Sequence, residues 1–290
     1  MGAGAVVGRL APTPSGYLHL GNAVNFVLTW LLTRRAGGRL HLRIDDLDRA
    51  RLRRPYLDNI FRVIDWLGLD YDHGPSGPDD FLRHYSQLLY LPDYNRLLRR
   101  LSQQPGLVYA SHRSRTAAGP AAAVSDSLPP LGLRTPGAAW RARVLAGTQI
   151  SLPDGWQGNT SIALAEVMPD FIIRKKDGVA AYQIASVADD LRLGTTLIVR
   201  GLDLQASTAA QLWLAAQLPE TRAFNPSRIQ FFHHGLLTDA AGRKLSKSQG
   251  GVGILAAPGG PAVVYSAVAQ LLNLPVEAGE SLSTLRDTAF

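Results

Sequence analysis

The sequence is 290 residues long, with 46% apolar and 18% charged side chains, a balance that fits a globular chain with a sizeable core and excludes a disordered one. It contains no cysteine, which excludes disulfides, a cysteine nucleophile and thiolate zinc ligation. The net charge of +7 comes mostly from arginine, with clusters at Arg34-Arg35, Arg49 to Arg54, and Arg96 to Arg100. Each cluster alone reads as solvated surface, whereas several together favour a polyanionic partner, because the planar guanidinium fork suits phosphate oxygens. No segment approaches the run of about 18 apolar residues that a membrane helix needs. The start MGAGAVVGRLAP lacks a charged stretch leading into an apolar core, so a cytoplasmic protein without membrane contact is expected.

Along the chain, Val6–Leu10 is predicted as a buried strand, followed by the turn PTPSGYLHLGN and a helix from about Leu20 to Arg35. Gly37-Gly38 ends that helix, and alternation over Arg39–Ile44 gives a second strand. Tyr56–Leu67 reads as a helix closed by Gly68. The order strand, helix, strand, helix predicts a parallel, doubly wound sheet. Phe81–Leu101 reads as helical, with Pro92 beginning or interrupting a segment. Arg115–Ala139 is poor in large apolar residues and rich in Pro and Gly, so it reads as a loop or mobile linker. Trp140–Val144, Asp170–Arg174, Tyr182–Val187 and Leu197–Arg200 form a second α/β portion. After Ser248 one helix is expected, Ala262–Leu272, and little else.

Two stretches carry chemistry. A Pro/Gly turn between a strand and a helix points backbone N–H groups and the positive helix end outward, and His19 there can add a donor to a phosphate. Gly2-Ala3-Gly4 precedes the strand instead of following it, which argues against a dinucleotide fingerprint. Farther on, Gly242–Ser248 is a cationic run that can fold over a triphosphate and stabilise developing charge. It lacks the glycine spacing of a Walker loop. Taken singly, the first is an ordinary strand-to-helix turn and the second a basic surface loop.

Taken together and in order, HLGN (His19–Asn22) and KLSKS (Lys244–Ser248) resemble the HIGH and KMSKS signatures of class I aminoacyl-tRNA synthetases. Five blocks narrow the likeness: RLAPTPSGYLHLGN (Arg9–Asn22), LRIDDLD (Leu42–Asp48), WLGLDYDHGP (Trp66–Pro75), DFIIRKKDGVAAYQIASVADD (Asp170–Asp190) and TTLIVRGLDL (Thr195–Leu204). They look like glutamyl-tRNA synthetase catalytic domains and are especially similar to the short glutamyl-Q-tRNA(Asp) synthetases. Those short relatives lack the helical anticodon-binding region that follows KMSKS in discriminating enzymes, and the few residues after Ser248 could not provide one.

The resemblance implies a Rossmann-type doubly wound parallel sheet with an inserted connective α/β subdomain and a short C-terminal helical piece. It divides the chain into a first catalytic half (1–75), a connective, acceptor-side insertion (76–168) holding the mobile loop 115–139, a second catalytic half (169–238), and the KMSKS loop with a short helical end (239–290). It further implies ATP- and Mg²⁺-dependent activation of L-glutamate to glutamyl-adenylate, and transfer to queuosine in the anticodon of tRNA(Asp), by a monomeric ligase. His19, Lys244 and Lys247 would be catalytic. Gly21, Asn22 and Ser246 would join them around ATP, with His233 on the same side. Arg9, Ala11, Thr13, Asp45, Tyr182 and Arg200 would bind glutamate. Taken without the motif, Arg9 reads as a strand-end surface residue, Tyr182 as a core tyrosine, and Asp45, Asp46 and Asp48 as a solvated face pairing with Arg49 and Arg51. His233-His234 has no third ligand spaced to hold a metal.

The sequence departs from the family at three points. Relatives carry zinc-binding cysteines after a tyrosine, where Tyr109-Ala110-Ser111-His112 stands here, so no metal site and no zinc are expected. The family's glutamate is Asp45, one methylene shorter, and Ser186 stands where many relatives hold asparagine. These changes keep two other readings open: activation of glutamate or a similar amino acid with a different acceptor, and a degenerate synthetase that only binds.

Overall fold

In a computed structural model, residues 5–112, 131–237 and 253–289 are described. In chain order these comprise β1 (Val7–Leu10), α1 (Leu20–Arg35), β2 (Arg39–Leu42), α2 (Arg54–Trp66), the single turn α3 (Pro78–Asp80), α4 (Leu91–Ser102), β3 (Val108–Ser111) and β4 (Ala139–Ala142). They continue with β5 (Gln149–Asp154), β6 (Gly158–Ala163), the short α5 (Leu164–Val167), β7 (Phe171–Arg174), α6 (Tyr182–Arg192) and β8 (Leu197–Gly201). The last are α7 (Gln205–Ala215), β9 (Gln230–His234), α8 (Ala262–Leu271) and α9 (Leu282–Thr288). No helix among them is long and apolar enough to cross a membrane.

The chain folds as two compact units, one of residues 1–87, 195–203 and 230–290, the other of 88–194 and 204–229.

The first unit is built on parallel strands in the order β2-β1-β8-β9. All four residues of β1 are buried, as a central strand requires. Chain order reverses between β1 and β8, because β2 lies to one side and β9 to the other. Helix α1 packs against β1, and Gly8 is what admits it. A Cβ on Gly8 would sit 2.1 Å from Thr33 Oγ1, which itself donates 2.7 Å to the Thr29 carbonyl. Gly8→Ala is therefore expected to lower stability by about 1–3 kcal/mol through overpacking. Denaturant melts check this, and Thr33→Ala in the same chain should recover part of the loss.

The outer edge of β2 carries residues 70–75. Leu42 N donates 2.8 Å to the His73 carbonyl, and Leu40 N donates 2.7 Å to Asp72 Oδ2, which Arg34 also holds. The His41 and His73 rings lie 5.2 Å apart. Burial, then His73 and Arg39, lower the His41 pKa from its ordinary 6.5, against the opposing pull of Asp72. A folded-state value below the unfolded one means that the unfolded chain binds the extra proton. The contribution is thus complete above about pH 6.5 and is lost as pH falls below it. The thermal midpoint should drop between pH 7.5 and 5.5, and His41→Asn should shrink that drop.

The second unit holds the antiparallel sheet β3-β4-β7 and the hairpin β5-β6. Helix α6 is tied to α4 where the Tyr94 hydroxyl donates to both oxygens of Asp189, at 2.9 and 3.0 Å.

Several elements differ from expectation. The helix expected over Phe81–Leu101 is split into a π turn at Phe81–Tyr85, a 3-10 turn at Gln87–Tyr90 and α4. The break falls at Ser86, whose hydroxyl donates 2.7 Å to Asp46, as does the next backbone N–H at 2.8 Å. Pro92 begins α4 within its first turn, where a missing N–H costs nothing. Loop character ends before residue 139, because Ala139 is buried in β4; residues 113–130 lie outside the described ones. Strands β5, β6 and β9 and helix α7 carry no expectation from sequence. The hairpin turns where Asp154 Oδ1 accepts from Trp156 N and Gln157 N, both at 2.9 Å, with Gly158 at φ +73°. Past Ala262–Leu271 there is a further helix, α9, started by Ser281 accepting from Thr284 N.

Candidate active site

In open α/β sheets a ligand binds outside the carboxyl ends of the strands where the order reverses, here between β1 and β8. Strand pairing places Arg9, Arg200 and His233 near those ends. Gly8 pairs with Leu197, Arg9 with His41, and Arg200 with His233. With a side-chain period of two, Arg9, His41, Arg200 and His233 share one sheet face. The opposite face carries Gly8 against Thr33 of α1. Arg9 and Arg200 are each only 3% exposed, so the surface reading of Arg9 is overturned.

The turn after β1 is fixed from several sides. Arg43 N donates to the Leu10 carbonyl and Asp45 N to the Pro12 carbonyl, both at 2.9 Å. This lays the Arg43–Asp45 segment beside Ala11 and Thr13. Leu18 N donates 2.8 Å to Asn59 Oδ1 of α2, and the Leu18 carbonyl accepts from Ile254 N at 2.8 Å. His19 is the N-cap of α1, and its own N–H donates 3.1 Å to Asn22 Oδ1. The Asn22 oxygen is thus used at the cap, which leaves its amide N–H₂ as the half suited to a phosphate oxygen. A Cβ on Gly21 would lie 3.2 Å from the His19 ring, so the glycine keeps that ring in place.

Asp45 and Asp46 are buried, which corrects the solvated-face reading for both. Asp45 Oδ1 accepts from Arg43 Nε at 2.7 Å and Oδ2 from Arg43 Nη2 at 3.2 Å. Asp46 pairs with Arg49 at 2.6 Å, and the more exposed Asp48 pairs with Arg51. His234, the neighbour of the expected His233, receives the Asn25 amide at 3.4 Å on Nε2 and lies 2.8 Å from the Gly235 carbonyl on Nδ1. That carbonyl can only accept, so the Nδ1–H tautomer follows. Burial lowers the His234 pKa, although Gly235 and Asp203 pull it upward.

Tyr182 and Ser186 belong to the second unit, one helical turn apart on α6. Tyr182 is 40% exposed, not a core tyrosine, whereas Ser186 is fully buried. Lys244, Ser246 and Lys247 lie outside the described residues. Asn59, Gln87 and Arg43 were missed from sequence. Each acts through a contact with a segment named in the motifs, and only Arg43 lies inside a motif block.

In the second unit the Tyr109 hydroxyl donates 2.7 Å to Asp170 Oδ2, and Val144 N donates 2.8 Å to Oδ1. Burial first, then Asp170, raises the Tyr109 pKa. His112 Nδ1 lies 3.3 Å from the Gly137 carbonyl. Ala110 and His112 do not supply the thiolates that a structural zinc takes, and among the described residues no three His, Cys, Asp or Glu side chains converge.

The chain matches the catalytic domain of class I tRNA synthetases (E and Q) over residues 5–115 and 136–255. It is 38% identical to a glutamyl-Q tRNA(Asp) synthetase of Symbiobacterium thermophilum, over 92% of this chain and 86% of that protein. It is 34% identical to glutamate–tRNA ligase 1 of Paracoccus denitrificans, over 96% of this chain and 64% of that protein. The glutamate-tRNA synthetase structure from Elizabethkingia anophelis superposes with a TM-score of 0.67 at 25% identity, covering 84% of this chain and 53% of that one. The chain therefore spans about half the length of that synthetase.

Proposed function

Because the chain belongs to the class I tRNA synthetase family that handles E and Q, and is a ligase, we propose that it activates L-glutamate with ATP and transfers it to queuosine in the anticodon of tRNA(Asp). The observation that carries this reading is the pair of buried guanidinium groups, Arg9 and Arg200, on one face at the carboxyl ends of β1 and β8. Two forked donors there match the two carboxylates of glutamate.

In the activation step a carboxylate oxygen of glutamate attacks the α-phosphorus of ATP. A new phosphorus–oxygen bond forms, the bond to the β-phosphate breaks, and pyrophosphate leaves with its electron pair. No protein nucleophile or proton transfer is required, so the work is alignment and charge stabilisation. Arg9 and Arg200 would orient the carboxylates, with Thr13, the Ala11 backbone and Tyr182 beside them, and Asp45 would meet the ammonium group. His19 and the Asn22 amide would hold ATP at the start of α1, over Gly21, with His233 nearby. Lys244, Ser246 and Lys247 would take the departing phosphates. Mg²⁺ would enter on the triphosphate, drawing its oxygen ligands largely from phosphate and water.

Glutamate-dependent exchange of pyrophosphate into ATP tests activation. Transfer of labelled glutamate to tRNA(Asp) with and without queuosine tests the acceptor; equal labelling of both would overturn the queuosine assignment. Ala110 and His112, standing where the family resemblance implies the zinc-binding cysteines, favour a second reading in which the amino acid is the same and the acceptor differs.

A further inference from the structure

We propose that Gln87, outside every motif, is a positioning residue that sets how strictly the site reads the α-amino group of its amino acid. Its side chain lies between two points of the loop after β2. Gln87 Oε1 accepts from Leu47 N at 3.2 Å, and Gln87 Nε2 donates to Asp45 Oδ1 at 3.4 Å. Its backbone N–H donates 2.8 Å to Asp46 Oδ1, whose other oxygen takes the Ser86 hydroxyl. Gln87 itself is 3% exposed, and Asp45 is 7% exposed. One residue thus binds three consecutive positions, 45 to 47, of the segment that carries the carboxylate.

Arg43 grips Asp45 from the other side with two N–H donors. That grip supplies the countercharge, while the torsion about the short Cα–Cβ bond of Asp45 sets where its carboxylate points. The Gln87 amide fixes that torsion by holding the loop backbone at Leu47 and one carboxylate oxygen at once. An acceptor displaced by about 1 Å from the ligand group it holds can cost up to about 10²-fold.

This rests on the reading that Asp45 meets the substrate ammonium. The test is pyrophosphate exchange with L-glutamate and with L-2-hydroxyglutarate, which carries a hydroxyl in place of the ammonium. Gln87→Met keeps the volume and the backbone bond to Asp46 and removes the side-chain bonds to Leu47 and Asp45. It should lower the ratio of kcat/KM for glutamate over the hydroxy acid by about 10-fold, while KM for ATP and kcat with the hydroxy acid stay near wild type. Gln87→Asn, which withdraws the amide by one methylene, should shift the ratio in the same direction and serves if the methionine variant does not fold. An equal fall for both substrates would make Gln87 merely structural and overturn the inference. Asp45→Asn separates the two layers. If it lowers the ratio and the Gln87 variants do not, the positioning role falls and the reading of Asp45 stands. If Asp45→Asn leaves the ratio unchanged, the reading of Asp45 falls and takes the inference with it.

Discussion

Lys247→Ala is expected to slow glutamate-dependent pyrophosphate exchange by about 10²–10³ in kcat, with KM for glutamate nearly unchanged. The argument is one of timing. Negative charge builds on the bridging oxygen as pyrophosphate departs, so a cation aimed there binds the transition state more tightly than ATP itself. Its removal should appear in kcat, not in the affinity for an amino acid held elsewhere. A change confined to KM for glutamate would contradict the role. Lys247 lies among residues the structure does not describe, so its role rests on the KLSKS match. Its flanks are fixed: β9 ends at His234 on one side, and Ile254 is bonded to the Leu18 carbonyl, next to His19, on the other.

Arg200→Lys should have the opposite signature. The charge is retained, but one planar fork becomes a single rotating donor, and the paired geometry to a carboxylate is lost. Losing one charged hydrogen bond costs about 1.5–3 kcal/mol, so kcat/KM for glutamate should fall by about 10–10²-fold. KM for ATP should not move, and the thermal midpoint should change little because a cation still occupies the buried position. Exchange assays at varied glutamate and varied ATP distinguish the cases. An unaltered KM for glutamate would remove Arg200 from the carboxylate-binding role.

The two variants therefore separate the halves of the proposed site. Lys247 reports on the phosphate side through kcat, and Arg200 on the amino-acid side through KM. A non-catalytic relative would show no exchange in the wild-type chain, and neither signature could then be measured. The acceptor is an independent question, since neither residue is assigned to it.

Much of the local structure was legible because local physics writes it. The helix α1 begins at Leu20 and ends at Arg35 as its apolar spacing and the following glycines require. The strands β1 and β2 and the helix α8 match their expected spans within a residue or two. The split of Phe81–Leu101 was not legible, because the acceptor that breaks the helix at Ser86 is Asp46, forty residues earlier. Strand β9 was missed for a related reason. QFFHH carries no alternation of polar and apolar residues, and its strand character comes from pairing with β8.

The site divides along the same line. Residue identity and order in the HLGN and KLSKS stretches, and the five blocks around them, determine the family, because a family signature is a linear pattern. Burial is not linear. Arg9 belongs to the surface on base rates, and it is buried because a strand almost two hundred residues later closes beside β1 with Arg200 on the same face. Asp45 looked like one of three solvated carboxylates until Arg43 and Gln87 enclosed it. Composition and motif order named the chemistry. Which charges lie out of water, and which side chains hold them in position, depended on long-range pairing that no local stretch of the sequence encodes.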